Sequence, residues 1–157
     1  MNPKNCLIFG GSGQIGSFLI RKLTKNNIKV TVVTRNTHQK GLRIKTQGNA
    51  GYIDVKEANI FDEKKIEKLF SEADYCINLI GILYEKKKGN TFKNIHTIFP
   101  TILAKLCKKY NLKQFIHISA LGINEAIDSK YAISKLEGEN NIPVSYTHLR
   151  AHETHEH

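Results

Sequence analysis

The chain has 157 residues, 40% of them apolar, which suffices for one compact domain with a real core. Its formal charge of +10 raises nucleic acid or anionic membrane as partners, yet the lysines are spread along helical stretches and only Glu85 to Lys88 forms a local cluster; a solvated basic surface is expected, with acidic lipid or a partner as the alternative and no motif for nucleic acid. Cys6, Cys76 and Cys107 are widely spaced within apolar runs, which excludes a disulfide framework or metal spacing and points to buried thiols in a reducing compartment.

The chain enters a strand-like CLIF directly after MNPKN, without an apolar stretch long enough for a secretory signal or a membrane span, so a cytoplasmic protein with no transmembrane segment is expected. Asn5 to Phe9 reads as a first strand, and its continuous apolar run predicts burial on both faces. A helix over 14–26 follows, with Ile15, Phe18, Leu19 and Leu23 on one face. The β-branched Lys29 to Thr34 predicts a second strand, and Tyr52 to Val55 a weaker third. A helix at 63–71 turns Ile66, Leu69 and Phe70 inward, and Tyr75 to Ile80 makes a fourth strand. A longer helix over 91–110 is broken or kinked near Pro100. Gln114 to Ser119 is the fifth strand, and a last helix starts around Ser129.

Strands alternating with helical crossovers predict an α/β fold: a Rossmann-like, doubly wound parallel sheet with helices on both faces, truncated after about five strands. The missing sixth strand leaves one sheet edge to be exposed. Residues 1–142 form the expected nucleotide-binding domain, an N-terminal fragment. From Pro143 the text becomes PVSYTHLRAHETHEH, with four of the seven histidines and no periodicity. It resembles a translated sequencing adapter, so 143–157 is set aside as a non-native disordered tail. A natural tail and a His-rich metal site at His152, His155 and His157 are the alternatives; no metal is expected.

Directly after the first strand comes GGSGQIG: Gly10, Gly11, Ser12, Gly13, Gln14, Ile15 and Gly16. Glycines there allow a tight turn, close approach of backbone to a pyrophosphate and packing of helix on strand, while the helix N-terminus offers N–H groups and positive potential to an anion. The second strand ends at Arg35, where an NAD-preferring site carries an acid. A guanidinium favours a 2′-phosphate by charge-assisted hydrogen bonds, so NADP(H) is expected over NAD(H); a purely structural Arg35 is the alternative.

These motifs resemble an atypical or extended short-chain dehydrogenase/reductase, of the kind grouped as the NAD-dependent epimerase/dehydratase family. The resemblance covers residues 5–142 through GGSGQIG, TRN at 34–36, NIFD at 59–62, NLIGILYE at 78–85, HISALG at 117–122 and YAISKLEGE at 131–139. Within that superfamily it is most similar to the NADP-binding accessory subunit of respiratory complex I and its bacterial relatives. The resemblance implies that Asn59 and Ile60 meet the adenine, and that Leu79, Ile80 and Gly81 run under the cofactor. It implies a catalytic Tyr131 and Lys135, with Ser119 as the one hydroxyl in the run where active enzymes hold the substrate oxygen, facing either substrate or cofactor. Tyr131 and Lys135 stand at i and i+4, on one helix face. His96 falls where related enzymes carry an Asn, and reads equally well as a core histidine. Leu121 stands where active enzymes place a hydroxyl.

Two functions follow. The first is an NADP(H)-binding accessory or assembly subunit, docked on a membrane-associated respiratory complex and peripheral at the inner membrane. The second is an active oxidoreductase, epimerase or dehydratase acting on a sugar nucleotide or other small carbonyl or alcohol.

Overall fold

Alternate residues of Asn5–Phe9 (β1) enter two different cores: Cys6 and Ile8 one, Leu7 and Phe9 the other. The computed structural model describes residues 2–142, so the tail from Pro143, with its histidines, lies outside the described residues. Lys29–Thr34 (β2), Ile53–Glu57 (β3), Tyr75–Asn78 (β4) and Gln114–His117 (β5) join β1 in one all-parallel sheet of order β3-β2-β1-β4-β5. This is the expected Rossmann-like sheet. The strand order reverses between β1 and β4, which opens a crevice at their carboxyl ends. β3 and β5 are its edges among the described residues.

One core lies under Gln14–Lys25 (α1) and Thr37–Lys45 (α2), where Ile20 and Ile44 pack on Cys6, Ile8, Val30 and Val32. The other lies under Glu63–Glu67 (α3), its continuing 3-10 turn Lys68–Glu72, and Phe99–Lys109 (α4); Ile66, Phe70, Phe99 and Leu103 pack there on Leu7, Phe9, Cys76 and Phe115. Lys130–Asn141 (α5) starts at Ser129, whose hydroxyl accepts from the Ala132 N–H. The three cysteines are buried and free, as expected, and burial pushes the Cys6 thiol up to about 12.

The structure corrects several expectations. The buried stripe of α1 is Gly16, Ile20 and Thr24, while Ile15 and Phe18 are 61% and 64% exposed. Gly16 is the reason: a Cβ there would stand 2.5 Å from Gly11, so the helix meets the sheet on its glycine side and the larger apolar residues turn outward. Helix α2 was not expected; Asn36 caps it, its side chain accepting from the Gln39 N–H. β3 runs two residues further than expected, to Glu57. β4 stops at Asn78 rather than Ile80 because the Asn78 amide oxygen takes the Ile80 N–H and turns the chain. β5 likewise ends at His117, short of Ser119. The long helix does change near Pro100, but as a change of pitch: a π-helical segment Lys93–Ile98 runs into α4, with Pro100 in the first α-turn.

Candidate functional site

A cleft of about 460 Å³ opens at the carboxyl ends of the strands. Gly10, Ser12 and Gly13 line it after β1, Arg35 after β2, Asn59 and Ile60 after β3, and Leu79, Ile80 and Gly81 after β4. Nine of the residues singled out in the sequence therefore meet in one cavity. Gly11, Gln14, Ile15 and Gly16 do not line it; they shape the loop and the first turn of α1 behind it.

The loop shape follows from its glycines. Gly10 has φ +85°, a conformation that L side chains rarely adopt, and a Cβ there would lie 2.9 Å from the Leu79 carbonyl carbon. Gly13 starts α1 without any side-chain cap, and no acidic residue stands in the first turn. By contrast α2, α3 and α5 are each capped, by Asn36, Asp62 and Ser129. The first turn of α1 thus has no side-chain acceptor on its N–H groups, and its N-cap Gly13 lines the cleft, an arrangement suited to a phosphate.

Charge at the cleft has one sign. Arg35, Lys40 and Lys88 line it, and no acidic residue does. Lys40 comes from the first turn of α2. Lys88, with φ 63°, sits in a tight turn closed by the Lys86 N–H on the Asn90 carbonyl, in which Gly89 lies next to the Phe61 ring. Lys40, Phe61, Lys88 and Asn90 were missed in the sequence. Asn36 followed three positions later by Gln39 is a capping pattern that would have revealed α2 and hence Lys40. Lys88 belongs to the charge cluster read as solvated; it is exposed, as read, and it also lines the cleft.

Asn59 uses its side-chain oxygen on the Phe61 N–H at 3.0 Å, which holds the bend after β3. Glu57, at the end of β3, accepts from both the N–H and the hydroxyl of Thr37, and these bonds lower its carboxyl below the usual range.

Tyr131, Lys135 and Ser119 are not part of the cleft lining. Lys135 is only 5% exposed, and burial lowers its ammonium from the ordinary value. Its hydrogen bond among the described residues is a long one, 3.4 Å to the Ile118 carbonyl. A Cβ on Gly81 would lie 3.4 Å from its Nζ, so the ammonium reaches the cleft wall at Gly81. Tyr131 is partly buried, edge-on to His96 at 5.2 Å and to Phe92 at 6.0 Å. The Ser119 hydroxyl is buried with no partner among the described residues. Leu121 is 61% exposed. No group of residues among those described is arranged to hold a metal.

A glycine cradle, an uncapped helix end, three cations without a carboxylate and an under-bonded buried lysine fit an NAD(P)-type dinucleotide. Residues 6–143 match the model of the NAD dependent epimerase/dehydratase family. The 40 kDa subunit of mitochondrial NADH-ubiquinone oxidoreductase from Neurospora crassa is 26% identical over 135 residues, covering 86% of this chain and 36% of that protein. NADH dehydrogenase (ubiquinone) 1 alpha subcomplex subunit 9 from Dictyostelium discoideum is 30% identical over 132 residues, 84% of this chain and 36% of that protein. The chain thus spans about a third of these relatives. UDP-glucuronic acid 4-epimerase from Bacillus cereus, solved in complex with NAD, shares the fold with a TM-score of 0.72 at 22% identity, covering 87% of this chain and 50% of that one. With the parallel sheet, the glycine cradle and the matched span in agreement, the chain belongs to the NAD dependent epimerase/dehydratase family and carries its NAD(P)-type dinucleotide-binding fold.

Proposed function

We propose that this chain is the nucleotide-binding part of an NADP(H)-holding accessory or assembly subunit, of the atypical short-chain dehydrogenase/reductase type, linked to respiratory complex I. The observation that carries the proposal is an asymmetry. The cleft has a glycine loop and three cations suited to a phosphorylated dinucleotide, whereas the run after β5 keeps one hydroxyl, Ser119, and has Leu121, which neither donates nor accepts, where active enzymes place another. Arg35 and Lys40 at the β2 end support NADP(H) over NAD(H), since a 2′-phosphate there would meet two cations and no carboxylate. In this reading the first turn of α1 binds pyrophosphate, Asn59 and Ile60 flank the adenine, and Lys135 binds the nicotinamide ribose.

The likeness to subunits of the mitochondrial enzyme supports docking on a membrane-associated respiratory complex, with a peripheral place at the inner membrane. No helix among the described residues is long and apolar enough to cross a membrane. Purified chain should retain NADPH and show no hydride exchange with a panel of carbonyl compounds.

Lys135 beside Gly81, with Tyr131 one turn earlier, favours a second reading as an active oxidoreductase, epimerase or dehydratase on a sugar nucleotide or another small carbonyl or alcohol. When bound, the dinucleotide would supply the hydride chemistry. Tyr131 would exchange a proton with the substrate oxygen and Ser119 would hold that oxygen. Oxidation of bound NADPH by a carbonyl compound, lost in Tyr131→Phe, would replace the first reading with this one.

A further inference from the structure

His96 is fully buried in the π-helical segment, and both of its ring nitrogens are engaged. Nε2 lies 3.0 Å from the Ile82 N–H. A backbone N–H must meet a lone pair, so Nε2 is unprotonated and Nδ1 carries the proton. That proton is donated to the Ser134 hydroxyl at 2.9 Å, and the hydroxyl in turn donates to the Tyr131 carbonyl at 2.7 Å. Thr97 adds a bond to the Ser134 carbonyl at 2.9 Å. The imidazole stacks on Phe92 at 5.5 Å and meets the edge-on ring of Tyr131.

The two partners of this ring belong to different parts of the site. Ile82 and its neighbour Gly81 form the cleft wall after β4, and Ser134 lies on α5 between Tyr131 and Lys135. A Cβ on Gly81 would stand 3.4 Å from Lys135 Nζ and 3.7 Å from His96 Nε2, so wall, lysine and imidazole converge there. Any buried imidazole needs a partner for its N–H and for its lone pair; what distinguishes this ring is that the two partners lie on different elements of the site. The ring ties the wall to the helix by a hydrogen bond on each side.

We propose that His96 is a positioning residue: as the neutral Nδ1–H tautomer it holds the Gly81–Ile82 wall and α5 at a fixed separation, so that Lys135 meets the nicotinamide half of the dinucleotide. The inference rests on the dinucleotide reading above. His96→Leu removes both hydrogen bonds and leaves the part-buried Ile82 N–H without its imidazole acceptor, whereas His96→Gln keeps an acceptor on a side chain of similar reach.

The test titrates the wild type and both variants with NADPH and with adenosine 2′,5′-bisphosphate, which lacks the nicotinamide half. His96→Leu should weaken NADPH binding about tenfold and leave the bisphosphate within about twofold, and His96→Gln should recover most of the loss. Unchanged NADPH affinity in a folded His96→Leu protein, or an equal loss for both ligands, overturns the inference. Wild type that binds neither ligand overturns the dinucleotide reading and the inference with it. If His96→Leu does not fold, nitrogen-15 spectra of the wild-type imidazole decide: the Nδ1–H tautomer at neutral pH is required, and the Nε2–H tautomer or the imidazolium refutes it.

Discussion

The two ends of the cleft are built by different means. At the phosphate end, the parts are backbone and exposed cations: Gly10 in a left-handed conformation, the uncapped first turn of α1, Arg35 and Lys40. At the inner end, the parts are buried side chains tied by tertiary hydrogen bonds, from Ile82 through His96 and Ser134 to Tyr131, with Lys135 beside them. The first end depends on residues adjacent in sequence. The second depends on the crossing of α5 with the π-helical segment, and a change there moves several groups together. Loss of an exposed cation at the first end should therefore reach ligand charge and leave the fold, whereas damage to the second should reach fold and ligand geometry at once.

The strongest way to separate the ends is to add one methyl to each. On α5, a Cβ at Gly138 would collide with the His96 carbonyl, and on α1 a Cβ at Gly16 would collide with Gly11. Gly138→Ala and Gly16→Ala should each cost about 3 kcal/mol in urea denaturation, since backbone and not a flexible side chain must move. They should differ in ligand behaviour: in folded protein, Gly138→Ala loses NADPH affinity while adenosine 2′,5′-bisphosphate is spared, and Gly16→Ala loses both.

A smaller effect sharpens the inner end through pH. Burial, and then the Lys135 ammonium, lower the His96 imidazole from 6.5 to about 4. Lys135 and Tyr131 on α5 are the titratable groups packed against it, and Ile82 and Phe92 contribute none. Because the folded state keeps the ring neutral while the unfolded chain protonates near pH 6.5, its stabilising share is complete above that pH. It is lost as pH falls from 6.5 through 4, by roughly 3 kcal/mol. Glu57 and Glu67, whose carboxyls hydrogen bonds hold low, lose stability in the same direction at lower pH. Comparing denaturation of the wild type with His96→Gln at pH 7 and pH 4.5 isolates the histidine: the wild type should lose more, and equal losses would break the assignment of a neutral ring.

The smallest expected effect is at the phosphate end. Lys40 is exposed, so Lys40→Ala should weaken NADPH by about fivefold or less, more at low salt than at high, with no change in melting temperature.

The same contrast explains what was legible in the sequence. β1, β2, the GGSGQIG loop and Arg35 are local patterns, and all appear where the residues predict them. The exposed face of α1 was misread because apolar periodicity sees Ile15 and Phe18 but not the close approach that the missing side chain of Gly16 permits. Helix α2 is short and polar, so periodicity passes over it although its cap at Asn36 is explicit. The role of His96 could not be read in advance, since its two bonds reach 14 and 38 residues along the chain and exist only once α5 is packed. Tyr131 and Lys135, by contrast, are legible as a pair because their spacing alone puts them on one helix face.

The central claim is that the cleft is charged for a 2′-phosphorylated dinucleotide. Its most direct test is a titration of wild type and Arg35→Asp with NADPH and NADH. The wild type should prefer NADPH, and Arg35→Asp should lose NADPH affinity by tenfold or more while NADH changes little, because the new carboxylate repels the phosphate but can accept from a ribose hydroxyl. Equal losses for the two cofactors, or a wild type that prefers NADH, would contradict it.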